Sequence, residues 1–137
     1  MIQNKTEAQQ VPVSGLPEPN RELVERARSV SADIARRART ADQQRKLSPQ
    51  TVGDLRESGL LTLTIPRDQG GIEADLVTQL AIYEILGGAC TSTAWILGNH
   101  ATLCTFAMGM MGERSRRVIQ TVVKDGAVIA HSAAPKG

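Results

Sequence analysis

Residues 94–111 are the most apolar stretch of the chain, and wound as a helix they present apolar side chains on nearly every side. Such a helix needs cover all round, from lipid or from other parts of the protein. Gly98, Asn99, His100 and Gly109 interrupt the run, which makes it a poor membrane span. The expectation is therefore a buried helix at the centre of a bundle, covered by about four other helices that are too few to enclose it, so that an apolar patch stays exposed where a partner is absent.

That cover reads as helical. Phe106, Tyr83 and Trp95 are the only aromatic residues among 137, so the core is built from Ala, Leu, Ile, Val and Met, which favours helix packing over a sandwich of sheets. Leu23, Ala27, Val30, Ile34, Ala38 and Ala41 recur at spacings of three and four, one face of a long helix capped by Asn20. Ser48-Pro49 is a cap followed by a first-turn proline, and Gly59 stands at the left-handed closing position, giving a short helix over residues 49–58 with Val52 and Leu55 inward. Residues 60–65 read as a brief extended run stopped by Pro66, and residues 67–71 as a turn. Asp75 caps a third helix with Leu76, Leu80, Tyr83 and Leu86 in helical register, ended by Gly87-Gly88. Thr91 or Ser92 caps the central helix, and Gly112-Glu113 opens an amphipathic fifth that closes at Gly126.

The expected architecture is all-α, a helical bundle of about five helices over residues 20–126. A Gln- and Pro-rich tail, residues 1–19, precedes it as a disordered segment. Residues 127–137 read as the start of a truncated β-domain, because Val128 and Ile129 open a strand that has no partner before the sequence stops.

Charge excludes little. Sixteen basic and fourteen acidic residues leave a net charge of +2. The arginines of the first helix alternate with Glu22, Glu25, Asp33 and Asp42, and no aromatic residue stands ready to stack on bases, so the helix reads as a solvated face and no nucleic-acid partner is expected. Cys90 and Cys104 lie in apolar surroundings without a CxxC spacing and read as reduced thiols of a cytoplasmic protein. There is no phosphate-binding glycine loop, no zinc-ligand pattern and no nucleophile elbow, so a metal site and a self-contained hydrolase are not expected.

His100 is the residue whose setting invites chemistry, since an imidazole on an apolar helix can accept a proton from a weak acid held beside it. A core histidine bonded to a backbone carbonyl or to Asn99 fits the pattern as well, and on pattern alone is the preferred account. Trp95 reads either as a core anchor or as the wall of an apolar pocket, and His131 as incidental.

Taken in order, several motifs resemble the N-terminal helical domain of the acyl-CoA dehydrogenase superfamily. They are the Arg/Ala-rich helix, Arg45-Lys46-Leu47-Ser48-Pro49, Leu55-Arg56-Glu57-Ser58-Gly59-Leu60-Leu61, Ile65-Pro66 before Gly70-Gly71, and Ser92-Thr93-Ala94-Trp95. Within it, Gly70-Gly71-Ile72-Glu73-Ala74-Asp75 and Trp95-Ile96-Leu97-Gly98-Asn99-His100 look closer to two-component flavin-dependent monooxygenases of the aromatic hydroxylase subgroup.

The resemblance implies an oxidoreductase that hydroxylates an aromatic or polyketide-like small molecule with O2 and reduced FMN or FAD from a separate flavin reductase. It also implies His100 as catalytic residue and Trp95, Asn99 and Leu103 as substrate-binding residues, with the cofactor-binding residues unassigned. The resemblance also implies a middle β-domain and C-terminal helices beyond these residues, supplied by another polypeptide or lost by truncation, and an oligomer is expected. The isolated chain is expected neither to hold flavin nor to be active alone. Two alternatives are a fragment of an acyl-CoA dehydrogenase and a non-catalytic helical remnant that binds a partner.

Overall fold

The computed structural model describes Gly15 and residues 17–130. Five helices follow in order: α1 (Arg21–Gln44), α2 (Pro49–Glu57), α3 (Leu76–Ala89), α4 (Thr91–Met110) and α5 (Glu113–Asp125), with two short 3-10 turns, Leu60–Thr62 and Arg67–Gln69, between α2 and α3. The all-α expectation holds, and among the described residues there is no strand.

The helix ends follow the side chains placed at them. The Asn20 side chain accepts from the Leu23 amide, Ser48 from Thr51, and Asp75 from Thr78, each satisfying an amide that the first turn leaves free. Gly59 takes the left-handed conformation expected of it, at φ 76°. The caps of α1 and α3 are joined: the Asn20 amide donates to the Thr78 hydroxyl at 2.9 Å, and that hydroxyl donates to Asp75 at 2.8 Å. The amide and hydroxyl of Thr78 on Asp75 hold its carboxyl below the usual carboxylate range.

α1 lies along α3, α3 on α4, and α4 on α5. The larger core cluster joins Leu23, Ala27 and Ile34 of α1 to Leu55, Leu60, Leu61 and Leu63, then to Ile82 and Leu86 of α3 and Leu97 of α4. A smaller one gathers Ile65, Cys104, Ile119 and Val122, with Ile129 packed on it. Burying a leucine of this kind contributes roughly 1.5–3 kcal/mol, so the apolar faces rather than helix propensity hold the bundle together.

Several sequence expectations are corrected. Residues 60–65 are not extended: the amides of Thr62 and Leu63 bond to Gly59 and Leu60 in a 3-10 turn. Leu60, Leu61, Leu63 and Ile65 are all buried, which a two-residue alternation cannot achieve. Gly87 and Gly88 do not end α3, which runs on to Ala89 and stops where Cys90 turns extended, at φ −162°. Cys90, not Thr91 or Ser92, occupies the position before α4, and no side chain caps that helix. On α3 the inward residues are Thr78, Ile82 and Leu86, while Leu76 and Leu80 are exposed. The expected start of a β-domain over residues 127–137 lies mostly outside the described residues, as do His131 and most of the tail before Asn20; of it the structure describes 127–130, which are neither helix nor paired strand.

Candidate functional site

α4 has two unlike faces. Thr93, Leu97, His100, Ala101, Cys104 and Ala107 are buried, at the three- and four-residue spacing of one helical stripe. On the opposite side Trp95 is 72% exposed, Phe106 59% and Met110 70%, with Asn99 and Thr102 between them also open. The central helix is therefore covered on one side, and the apolar patch expected of a helix with too few neighbours lies open on the other.

α3 adds a second open stripe beside it. Tyr83, Gly87, Ala94, Trp95, Gly98, Asn99 and Thr102 line a groove of about 510 Å3 between the two helices. Leu80 and Leu76 stand one and two turns before Tyr83 on the same stripe of α3. The groove is open beside Gly98, where a methyl group would meet nothing within 4 Å. Partial burial raises the Tyr83 phenol above its ordinary pKa, so the groove offers a neutral hydroxyl. At the other side of Trp95 a second cavity of about 470 Å3 is lined by Leu47, Ile96, Thr91, Ser92, Arg45, Lys46 and Asp42. Trp95 is the ridge between the two.

The four residues expected at a site are thus divided. Trp95 and Asn99 share the open face, and the Asn99 side-chain amide donates back to the Trp95 carbonyl at 2.9 Å. Leu103, half-buried, borders that face. His100 points the other way and is wholly buried. Its Nε2 lies 2.8 Å from the Leu61 carbonyl oxygen and its Nδ1 accepts from the Ile129 amide at 3.0 Å. The Cys104 sulfur sits 3.7 Å from Nε2. Burial lowers the imidazole pKa, with the Leu61 bond opposing in part, and burial pushes the Cys104 thiol up to about 11. Both groups are therefore neutral near pH ~7.

Sequence reasoning missed Tyr83 and Thr102 as groove residues, although Thr102 and Phe106 continue the stripe that Trp95 and Asn99 begin. It also had no means of finding Leu61 and Ile129, 39 and 29 residues from His100.

A flavin needs a flat apolar slot, donors along its ring edge and a cradle for phosphate. The described residues supply one apolar wall with an amide and two hydroxyls, open on its far side, and no set of donors converging on a ring edge. They do not fit a whole flavin, and no flavin chemistry is derived from them. Among the described residues no group of three or more His, Cys, Asp or Glu gathers as for a metal ion, and no helix is long and apolar enough to cross a membrane.

The described residues form a helical bundle with a capped, bonded interior and an open apolar groove on one side. The chain belongs to the family of acyl-CoA dehydrogenase N-terminal domains, whose model matches residues 17–118. It is 32% identical over 100 residues to the oxygenase component of p-hydroxyphenylacetate 3-hydroxylase from Acinetobacter baumannii, a match covering 73% of this chain and 22% of that protein. It is 31% identical over 75 residues to a pigment production hydroxylase from a Rhodococcus species, covering 55% of this chain and 19% of the relative. The chain thus spans about a fifth of the length of these curated relatives. No solved structure gave a significant match.

Proposed function

We propose that this domain forms the helical wall of the substrate site in the oxygenase of a two-component, flavin-dependent monooxygenase acting on an aromatic small molecule. The observation that carries the reading is the open groove beside Trp95, on a domain whose two relatives are both named as hydroxylases. An apolar groove with few polar groups suits a flat aromatic ring that bears a hydroxyl. In this reading Trp95 and Leu103 contact the ring, while Asn99, Thr102 and Tyr83 offer hydrogen bonds to its substituents. The flavin, FMN or FAD, is held by domains beyond this one and arrives reduced from a separate reductase. The assembled enzyme is a cytoplasmic oligomer. Fold membership does not fix the chemistry, so the assignment rests on the groove and the relatives together.

For His100 the resemblance suggests a base that accepts the substrate's phenolic proton. The two backbone bonds and complete burial of its ring support a second reading, in which it positions α4 and does not touch substrate.

The test is to join the chain to the missing family domains, in one polypeptide or by co-expression, and supply a flavin reductase, NADH and a panel of phenols. Hydroxylation that falls at least tenfold in Trp95→Ala, chiefly through KM, supports the groove. Dehydrogenation of acyl thioesters with no hydroxylation overturns the monooxygenase reading in favour of a dehydrogenase. If His100 is the base, His100→Asn lowers single-turnover hydroxylation by about a hundredfold and removes an ionisation from the rate profile. If it is a positioning residue, the ionisation stays.

A further inference from the structure

We infer that His100 is a proton-sensitive latch, holding residues 127–130 against α4 only while its ring is neutral. The tautomer follows from the partners. A carbonyl oxygen can only accept, so Nε2, 2.8 Å from the Leu61 oxygen, carries the proton. A backbone amide can only donate, so Nδ1, 3.0 Å from the Ile129 nitrogen, is bare. A second proton on the ring would set an N–H against the Ile129 N–H, and attraction would become repulsion. The bond that ties the segment after α5 to the middle of α4 exists in one protonation state.

The surroundings leave the imidazolium without a counter-charge. On α4 the titratable neighbour is Cys104, whose thiol remains protonated near neutral pH and supplies no anion. The turn after α2 contributes the Leu61 carbonyl, and Thr64 spends its hydroxyl on the Ala101 carbonyl at 2.9 Å. α5 presents Ile119, Val122 and Val123 to the cluster that holds Cys104 and Ile129. The charged group that touches the segment is Arg56 of α2, whose guanidinium donates to the Gly126 carbonyl from 3.2 and 3.3 Å. Its charge has the same sign as an imidazolium, so it opposes protonation of the closed latch. Protonation and release are one event, because the ring accepts the proton readily only once the segment has left and water has entered.

Two side chains from other elements hold the segment by hydrogen bonds, beside the Ala127 amide's 3.2 Å bond to the Thr121 carbonyl and the packing of Ile129 on the smaller core cluster. Arg56 holds Gly126, and His100 holds Ile129 while its ring is neutral. When the latch opens, residues 128–130 therefore lose their tie to α4 while Gly126 and Ala127 keep theirs to Arg56 and Thr121. The inference is independent of the oxygenase reading, because it needs only this domain.

The experiment uses the 137-residue chain labelled with 15N, reading the His100 ring nitrogens and the exchange rate of the Ile129 amide from about pH 5 to about pH 7.5. The expected result is the Nε2–H tautomer, with Ile129 protected at the upper end. Below pH ~6.5, relative to the Leu97 amide in mid-α4, that protection falls by up to roughly tenfold per pH unit. His100→Asn places an acceptor near the Nδ1 position, so Ile129 stays protected but loses its pH dependence. His100→Gln reaches toward Leu61 and leaves Ile129 free at every pH. Ile129→Pro deletes the donor on a partly exposed segment and raises the His100 pKa, because the neutral ring has lost a partner. That variant serves if the His100 substitutions fail to fold. An Nδ1–H tautomer, or Ile129 protection that is flat with pH in the unaltered chain, overturns the latch. So does a His100 pKa indifferent to Ile129→Pro.

Discussion

Replacing Gly71 with alanine tests how tightly the connection between α2 and α3 is folded under the domain. A Cβ at residue 71 would overlap the carbonyl oxygen and carbon of Ile65, backbone atoms that cannot swing aside as a side-chain tip can. Relief requires the two strands of the loop to part. They are joined by Gly71 to Pro66 and Glu73 to Ile65, both 2.9 Å, with Ile72 to Thr62 at 3.0 Å and Ala74 to Leu63 at 2.9 Å. Losing two of these bonds costs about 1 kcal/mol each. Partial exposure of the buried Ile65 side chain adds about 1 kcal/mol, and the stiffer unfolded chain gives back roughly 0.5–1 kcal/mol.

The expected net loss is about 2–2.5 kcal/mol, or a fall in Tm of roughly 7–11 °C for a domain of this size. Gly53→Ala is the matched control. Gly53 lies inside α2, and its added methyl meets nothing within 4 Å, so alanine there should stabilise by about 0.5–1 kcal/mol. Thermal and urea unfolding followed by circular dichroism measure both. A Gly71→Ala protein within about 0.5 kcal/mol of the parent, or a Gly53→Ala protein equally destabilised, would refute the steric argument.

Four further outcomes are expected. Arg37 joins α1 to α2 through Thr51, at 3.0 Å, and through Asp54, and the pair is about a quarter exposed. Arg37→Met should cost about 1 kcal/mol after allowance for solvent screening, and a double-mutant cycle with Asp54→Asn showing no coupling would remove the pair from the account.

The His100 pKa is lowered in the fold, so below pH ~6.5 the unfolded chain binds the extra proton; stability should fall with pH there until the folded value is passed, and His100→Asn should abolish that slope. The Cys104 pKa is raised from 9.0 to about 11, so the opposite sign applies and its contribution is lost as pH rises across that interval; Cys104→Ser should flatten the alkaline limb of urea midpoints. Trp95, the single tryptophan, should emit at water-exposed wavelengths and quench freely with acrylamide. Trp95→Gln with Phe106→Ser should reduce apolar-dye binding and self-association without lowering Tm.

The helices were legible because their signals are local. Asn20, Ser48 and Asp75 announce the starts of α1, α2 and α3 whatever the rest of the chain does, and the apolar stripe of α1 has charged residues on every other side. α3 and α4 defeated the same reasoning because each carries two apolar stripes. Leu76 and Leu80 keep helical register as well as Ile82 and Leu86 do, and periodicity cannot tell which pair faces α1. The run from Leu60 to Ile65 misled for a related reason: an apolar segment that short is buried equally well as a turn, and the long-range bonds that make it one join residues up to eleven apart.

His100 shows where legibility ends and what the fold adds. Its setting marked it as unusual, and both accounts of it, a base or a core residue bonded to a carbonyl, were readable from the residues around it. The choice between them depends on which side of α4 meets the turn after α2, and that is decided by side chains far along the sequence. Once Leu97, Ala101 and Cys104 turn inward, His100 turns with them, and Trp95 and Asn99 turn out. A helix that is apolar all round thus serves two surfaces. The inner one is spent on this domain's own core, and the outer one leaves Trp95, Phe106 and Met110 open. In the reading proposed above, that outer stripe is where an aromatic substrate and further domains would complete the burial that an all-round apolar helix demands.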